Sequence, residues 1–220
     1  MIMDDFFEKN PLFAGLNTNE RQLLEHAARK KIYPKNTIIL SEGDTTDSLY
    51  MVCKGQVKVS IVDEYGKEVI LALLGPGEYF GEMTAMADGA ARSACVVTRE
   101  ACEVMVLQKE DFRKVVKDNP DIVIALLKKS MERLREANKK IESLALLDVY
   151  GRVARLFTNL SKPCDGGQII EEKLTHQDIA NMVGSSREMV SRVLKELSSV
   201  GYITVTHKTI TINGKLPYSW

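Results

Sequence analysis

The side chains best suited to hold a charged ligand lie close together near the middle of the chain. Glu82 can only accept hydrogen bonds and suits a sugar hydroxyl, whereas Arg92 is a planar fork of donors that suits a phosphate, with Ser93 beside it. Gly81 lets the backbone approach a ligand closely. One carboxylate and one arginine, ten residues apart on a bent loop, predict a nucleotide monophosphate site.

A second group of residues, closer to the C-terminus, has the spacing of a helix-turn-helix. Thr175 predicts a helix N-cap supported by Asp178, and Ser186 predicts the N-cap of the next helix. Between them Gly184 suits a left-handed turn, and the small Ala180 lets two helices cross closely. A helical hairpin without DNA-binding activity is the alternative interpretation.

The second of these helices is predicted to project polar side chains outward. Arginine can donate to guanine O6 and N7, and glutamate can accept from cytosine N4. A solvated charged face would account for the same residues outside a helix-turn-helix, but within one we interpret them as contacts to bases. They are Arg187, Glu188, Ser191, Arg192 and Lys195. A β-hairpin is predicted at 202–212, with Lys208 at its tip near a phosphate.

Short strands must position the first site. Residues 36–107 alternate β-favouring runs with glycine turns, which predicts an antiparallel roll or barrel. A helical pattern over 11–32 precedes them. The glycine-rich stretch 75–81 is not interpreted as a dinucleotide loop, because no strand-loop-helix context is predicted after it. The predicted strands are Thr37–Leu40, Ser48–Cys53, Gln56–Val62, Glu68–Leu74, Ser93–Thr98 and Cys102–Leu107.

A long helix is predicted at about 121–147. Its apolar residues recur at alternating spacings of four and three, which is a heptad seam and predicts a parallel helix dimer. Asn138 lies in this seam, where it either sets the register or contacts a ligand. Asp148 is predicted to cap the next helix, and 161–168 to form a loop. The seam residues are Leu127, Met131, Leu134, Asn138, Ile141 and Ala145.

Composition limits the function. The 220 residues carry no formal net charge, but residues 148–220 hold nine Lys and Arg against seven Asp and Glu (net +2), and the remainder 21 against 23 (net −2). No apolar run approaches the ~20 residues of a membrane span and the acidic N-terminus is unlike a signal peptide, so a cytoplasmic location is expected. The four cysteines are expected to be reduced and mostly buried. Neither a metal site nor a catalytic nucleophile–base pair is predicted.

These motifs together resemble the cyclic-AMP receptor protein/fumarate-nitrate-reduction regulator family of bacterial transcription factors over about residues 10–213. The resemblance implies an α+β homodimer. Its expected parts are an N-terminal antiparallel β-roll for a cyclic nucleotide (1–120), a dimerisation helix (121–147) and a C-terminal winged helix-turn-helix for DNA (148–220). The matching segments are Gly81-Glu82 with Arg92-Ser93-Ala94, Asn119-Pro120-Asp121-Ile122, Leu146-Leu147-Asp148-Val149 with Gly151-Arg152, and Val183-Gly184-Ser185-Ser186-Arg187-Glu188 with Arg192.

The resemblance also implies roles for single residues. Glu82 would hold the ribose 2′-hydroxyl and Arg92 with Ser93 the cyclic phosphate, beside the backbone of Gly81. The remaining residues of the expected ligand site are apolar, namely Val59 and Leu71 near the sugar and base, and Met83.

On the DNA side, the family pattern implies major-groove contacts to a TGTGA-like half-site of a pseudo-palindrome by Arg187, Glu188 and Arg192. It implies phosphate contacts by Thr175, Gln177 and Ser186. Contact with RNA polymerase is implied as well.

The chain departs from the cyclic-AMP receptor on the dimer helix. Ala137 and Asn138 stand where that protein has consecutive Thr and Ser residues that recognise the adenine amino group, one of them from the partner subunit. Asn138 can donate and accept, so it could serve adenine or guanine. Cyclic AMP is the favoured effector. The alternatives are another cyclic nucleotide, another small molecule, a gas or a redox signal on the same scaffold, and a cyclic-nucleotide-binding regulatory subunit of an enzyme.

Overall fold

The computed structural model describes residues 6–8, 10–164, 167–206 and 209–217. The chain divides into two compact units between Glu132 and Arg133, inside one long helix. The predicted α+β class is confirmed: antiparallel strands come first, then the long helix, then a helix-turn-helix flanked by strands. The division of the chain at 120 and 147 stays a prediction.

The first unit is built from two four-stranded antiparallel sheets, with strand orders β1-β8-β3-β6 and β2-β7-β4-β5. All six predicted strands are present, with ends shifted by at most two residues. The strands are β1 (Arg29–Tyr33), β2 (Ile38–Leu40), β3 (Leu49–Lys54), β4 (Val57–Val62), β5 (Glu68–Leu74), β6 (Tyr79–Phe80), β7 (Cys95–Thr98) and β8 (Cys102–Leu107).

The helical pattern predicted over 11–32 is wrong at its C-terminal end. A 3-10 turn at Pro11–Phe13 and helix α1 (Thr18–Ala27) are present, but Arg29–Tyr33 is strand β1. This strand is at a sheet edge and mostly exposed, so it has no buried-strand pattern. Its conformation comes from backbone pairing with β8, which the side chains of a single segment do not reveal.

Strand β8 shows how the roll is packed. Val104 and Val106 point to the interior between the two sheets, whereas Met105 and Leu107 belong to a second core formed with the helices. Strand β8 is therefore buried on both faces of its sheet. Each such side chain stabilises the fold by about 1.5–3 kcal/mol.

Two short helices of this unit have no counterpart in the prediction: α2 (Glu82–Met86) and α3 (Lys109–Asp118). The expectation that no helix follows the glycine-rich stretch 75–81 is therefore wrong. The stretch is nevertheless no βαβ unit, because β6 pairs antiparallel with β3 and α2 has only five residues.

The long helix α4 (Pro120–Leu146) agrees with the prediction to within one residue. Its seam side chains are exposed in the single chain, at 61% for Leu134 and 64% for Ile141. An exposed heptad seam of this length is typical of a helix that packs against another copy.

The second unit contains α5 (Val149–Leu160), β9 (Lys162–Cys164), β10 (Gly167–Ile170), α6 (His176–Val183), α7 (Arg187–Ser199), β11 (Ile203–Thr206) and β12 (Thr209–Ile212). The Asp148 cap is confirmed, since its Oδ1 accepts the Gly151 N–H at 2.8 Å. The predicted loop over 161–168 is wrong. Strands β9 and β10 pair there, and β10 also pairs with β12. Pro163 is compatible with β9 because β9 is an edge strand.

The cysteines are unpaired, with Cys102 buried and Cys53, Cys95 and Cys164 half-buried, so the expectation that most are buried is wrong. Burial raises the pKa of the Cys53 thiol to about 11. Within the described ranges no group of side chains could hold a metal ion. In the same residues no helix is long and apolar enough to cross a membrane.

Candidate ligand-binding and nucleic-acid sites

Gly81 links β6 to α2 in a conformation that favours glycine. Its φ is +83°, and a Cβ there would lie 2.6 Å from Arg92 Nη1 and 2.8 Å from the Ser48 carbonyl oxygen. Both the backbone angle and the space therefore exclude a larger residue. Gly81 is also the N-cap residue of α2, which makes Glu82 the first residue of that helix.

Arg92 is buried, with only 4% of its surface exposed. Its Nε donates to Thr46 Oγ1 at 3.1 Å and its Nη2 to the Ser48 carbonyl at 2.9 Å. Its Nη1 donates to the Gly81 carbonyl at 2.9 Å and to Thr84 Oγ1. The arginine predicted to hold the phosphate thus also connects the loop before β3 to the first turn of α2.

An aromatic pair lies against the Arg92 guanidinium. The Arg92 Cζ atom is 5.7 Å from the centroid of the Tyr50 ring, and Tyr50 stacks on Phe80 at 5.1 Å. Burial lowers the pKa of Arg92, and Tyr50, Asp47, Asp44 and Glu82 oppose that shift electrostatically. Burial also raises the pKa of the Tyr50 hydroxyl. The guanidinium stays charged, since its ordinary pKa is far above neutral.

The other predicted ligand residues differ in exposure. Glu82 is half-buried at the first turn of α2, where the helix dipole favours a carboxylate. Met83 is exposed, and Ser93 Oγ donates to its sulfur at 3.5 Å. Val59 is half-buried on β4, whereas Leu71 is exposed at a bulge in β5.

Gly81, Glu82, Met83, Arg92 and Ser93 therefore form one cluster. Three polar partners of Arg92 were not in the predicted site, namely Thr46, Ser48 and Thr84. Thr46 and Ser48 are more than forty residues from Arg92 in sequence, so no local motif indicates them.

Ala137 and Asn138 are exposed on α4 and belong to the second unit. Their assignment to the ligand site stays a prediction.

The helix-turn-helix is capped as predicted. Thr175 Oγ1 accepts the Asp178 N–H at 3.0 Å, and Asp178 Oδ2 accepts the Thr175 N–H at 2.9 Å. Gly184 ends α6 with a φ of +63°. Ser186 Oγ accepts the Met189 N–H at 3.2 Å and so caps α7.

Helix α7 is anchored by its apolar face and exposes most of its polar face. The apolar residues on the inner faces of α6 and α7 are buried: Ile179, Ala180, Val183, Val190, Val193, Leu194 and Leu197. The exposed residues are Arg187, Glu188, Arg192 and Lys195. Ser191 differs from them, because it is half-buried and its hydroxyl lies 2.8 Å from His176 Nδ1.

An open depression of about 590 Å³ lies where α6 and α7 begin, lined by Thr175, His176, Gln177 and Arg187. Gln177 also donates to Asn181 Oδ1 at 2.7 Å. His176 was not in the predicted site, although its place beside the Thr175 cap could have indicated it. Lys208, at the tip of the predicted wing, lies outside the described residues.

Each of the two units contains a segment that matches the model of a known protein family. Residues 30–119 match the model described as "Cyclic nucleotide-binding domain", and residues 151–214 match the one described as "Crp-like helix-turn-helix domain".

Two curated relatives extend this match. The "cAMP-activated global transcriptional regulator CRP" of Salmonella typhimurium is 39% identical over 188 residues, which are 83% of this chain and 88% of the relative. The "cAMP-activated global transcriptional regulator Vfr" of Pseudomonas aeruginosa is 37% identical over 202 residues, 88% and 92% of the two chains.

Two solved structures have similar folds. The c-di-GMP responsive global regulator CLP of Xanthomonas campestris has a TM-score of 0.77 at 28% identity, covering 90% of this chain and all of that one. The catabolite activator protein of Thermus thermophilus has a TM-score of 0.55 at 33% identity, covering 92% and 93%.

Proposed function

Because the chain belongs to the Crp/Fnr family and is a ligand-regulated DNA-binding transcription regulator, we propose that it acts as a homodimer switched by a cyclic nucleotide, with cyclic AMP the favoured ligand. A regulator of this kind acts on the chromosome, so a cytoplasmic location belongs to the proposal. The observation that carries it is the placement of Arg92 against the first turn of α2, which begins with Gly81 and Glu82.

The chemistry of Arg92 supports a phosphate ligand. Its four described hydrogen bonds end on neutral oxygen atoms, from two carbonyl groups and two threonine hydroxyls. A phosphate oxygen is anionic, so it attracts the charged guanidinium more strongly than a neutral carbonyl or hydroxyl oxygen does. A phosphate can therefore compete with these internal acceptors for the guanidinium, and Ser93 beside it supplies a further donor.

The sugar and the base involve other residues. We propose that Glu82, in the first turn of α2, accepts a hydrogen bond from a ribose 2′-hydroxyl beside the Arg92 phosphate contact. Val59, Leu71 and Met83 supply apolar surface. We propose that Asn138, next to Ala137, contacts the base, and an amide can pair with adenine or guanine.

Two observations rank the ligands. The relatives described as cAMP-activated are 37% and 39% identical to this chain, whereas CLP, described as c-di-GMP responsive, is 28% identical. Cyclic AMP is therefore the first candidate and cyclic di-GMP the second.

The DNA half of the proposal rests on α7. Its exposed Arg187, Glu188 and Arg192 are proposed to contact bases in a TGTGA-like half-site, while Thr175, Gln177 and Ser186 contact phosphates. Pairing of two copies through the exposed seam of α4 would present two such helices to successive major grooves, about 34 Å apart. Contact of the DNA-bound dimer with RNA polymerase is part of the proposal.

The ligand must favour the DNA-binding arrangement energetically. Converting a 1:99 population to 99:1 requires that the ligand bind the active arrangement about 5.5 kcal/mol more tightly than the inactive one. Asn138, in the seam and in the proposed base contact, is the candidate link between the two.

Calorimetric titration with cyclic AMP, cyclic GMP and cyclic di-GMP, followed by DNA binding with each, tests the proposal. We expect cyclic AMP to bind and to increase affinity for a TGTGA-type palindrome but not for a scrambled sequence of equal length. Linear 5′-AMP is the control for the cyclic phosphate. Binding of cyclic di-GMP alone would replace the ligand assignment, and absence of binding by all three would refute nucleotide control.

A further inference from the structure

The C-terminal end of α2 is held by two cationic side chains of α3. Arg113 donates from Nε to the Ala85 carbonyl at 3.1 Å and from Nη2 to the Met86 carbonyl at 2.8 Å. Lys109 donates from Nζ to the Ala87 carbonyl at 3.0 Å. These carbonyls are at a helix end, where the helix itself supplies no partner and the dipole favours cations.

A carboxylate completes this arrangement, which we call the α2 clamp: Lys109, Arg113 and Asp88. Asp88 Oδ1 lies 3.0 Å from Lys109 Nζ and 2.9 Å from Arg113 Nη1. Hydrogen bonds from Lys109 and then Arg113 lower the pKa of the Asp88 carboxyl. Lys109 is only 9% exposed, and a lysine this buried normally has a specific partner.

Helix α2 depends on such external contacts. It has five residues, far fewer than the ~12–15 that an isolated helix needs even to be marginal in water. Arg92 holds its first turn through Gly81 and Thr84, and the α2 clamp holds its last turn. The position of Glu82 is therefore determined from both ends of the helix.

The clamp also connects α2 to the helices that follow. Lys109 and Arg113 are one turn apart on α3, and only Asn119 separates α3 from α4. Ala85 of α2 belongs to the same apolar core as Phe112 of α3 and Ile122 of α4. A displacement of α2 would thus act on α3 and on the start of α4 through both polar and apolar contacts.

We propose that Lys109 and Arg113 are positioning residues of the ligand site: they hold α2 so that Glu82 meets the ligand, and they transmit a ligand-induced displacement of α2 to α3 and α4. The inference rests on the proposed function for the identity of the ligand. The contacts that carry it lie entirely within the first unit.

Arg113→Gln tests it, with Lys114→Gln as the matched control. Lys114 is the next residue on the same helix and pairs with Asp111 instead of α2. We expect the Kd for cyclic AMP to rise about tenfold in Arg113→Gln, a change that corresponds to about 1.4 kcal/mol. DNA affinity at saturating ligand should also fall, while the control behaves as the unmodified protein.

Two further variants separate positioning from general stability. Arg113→Lys keeps the charge but has one amine in place of two donors aimed at two carbonyls, so it should restore only part of the ligand affinity. Asp88→Asn removes the bridging charge and should give a smaller rise in Kd. A rise that followed the midpoint of thermal unfolding across all variants, instead of this order, would overturn the inference.

Hydrogen exchange gives a measurement that needs no ligand. The amides of Ala85 and Ala87 bond within α2, and they should exchange faster in Arg113→Gln than in Lys114→Gln. If the unmodified protein binds no cyclic nucleotide, the proposed function fails, but this exchange difference still decides whether the clamp holds α2. Equal exchange and equal ligand affinity in the two variants would refute the inference.

Discussion

The two units place their key arginines in opposite environments. Arg92 in the first unit is buried and donates to oxygen atoms of two separate segments of its own chain. Arg187 and Arg192 in the second unit are exposed, on a helix whose other face is packed and whose N-terminus is capped.

This difference follows from the size of what each site is proposed to bind. A small anion is held by donors that converge on it, so its arginine must be fixed by many internal contacts and removed from water. A DNA duplex is a large convex surface, so its contacts must project from a rigid helix into a groove. Substitution of Arg92 should therefore alter both fold and affinity, whereas substitution of the exposed arginines of α7 should alter affinity alone.

The largest effect is expected from Arg92→Leu. It removes the phosphate donors and leaves the Ser48 carbonyl without the donor described for it, at about 1–3 kcal/mol, whereas the Gly81 carbonyl keeps the Ala85 N–H and the Thr84 hydroxyl. Affinity for cyclic AMP should fall at least about a hundredfold, because hydrogen bonds to charged groups contribute about 1.5–3 kcal/mol each. Calorimetry measures the loss of ligand affinity, thermal unfolding measures the loss of stability, and a DNA shift assay measures the loss of ligand-stimulated DNA binding.

Arg99→Leu is the control, since it removes a half-buried arginine that contacts Gln56 outside the ligand cluster. Retained stimulation of DNA binding by cyclic AMP in Arg92→Leu would refute the assignment of the phosphate site.

Arg187→Ala should have the second-largest effect. Loss of a bidentate contact to guanine is expected to cost about 1–3 kcal/mol on a TGTGA-type site and to relax specificity at that base pair, with ligand affinity and unfolding temperature unchanged. Competition binding with half-sites altered one base at a time measures both the loss of DNA affinity and the change in specificity. The control Lys215→Ala removes one exposed positive charge from the same unit. An equal loss on random DNA would instead indicate a phosphate contact.

Ser186→Ala should destabilise the second unit by about 1 kcal/mol, because it removes the N-cap of α7. Urea unfolding of the full chain measures it, with Ser198→Ala near the other end of α7 as the control. Ligand affinity should not change. A loss of DNA affinity much greater than the loss of stability would support the proposed contact of Ser186 with a phosphate.

Asn138→Ala should have a small effect on free energy. It tests whether the two units differ as described, because Asn138 belongs to the second unit but is proposed to contact the ligand. We expect the preference between cyclic AMP and cyclic GMP to change by about 0.5–1.5 kcal/mol, the net contribution of one hydrogen bond. Lys139→Ala, one residue along and outside the seam, is the control. Unchanged ligand affinity, dimerisation and DNA activation would together contradict the role of Asn138.

Much of the second site could be predicted because its signals are local. Caps at Thr175 and Ser186, the turn at Gly184 and the apolar spacing of α7 each depend on residues within one or two helical turns. The six predicted strands follow from equally local alternation and glycine turns. Helix α2 could not be predicted in this way, since five residues have too little periodicity to be distinguished from a turn.

The sequence by itself determined the chemical types at both sites and their order along the chain: a carboxylate and an arginine near 82 and 92, then a seam, then a capped helix pair. Only the tertiary structure decided what surrounds Arg92, made 162–164 and 167–170 into paired strands, and joined α2 to Lys109 and Arg113. The physical reason is the range of the interactions. Caps and periodicity act within a few residues, whereas a buried cation and a pairing strand are satisfied by partners that folding brings from distant parts of the chain.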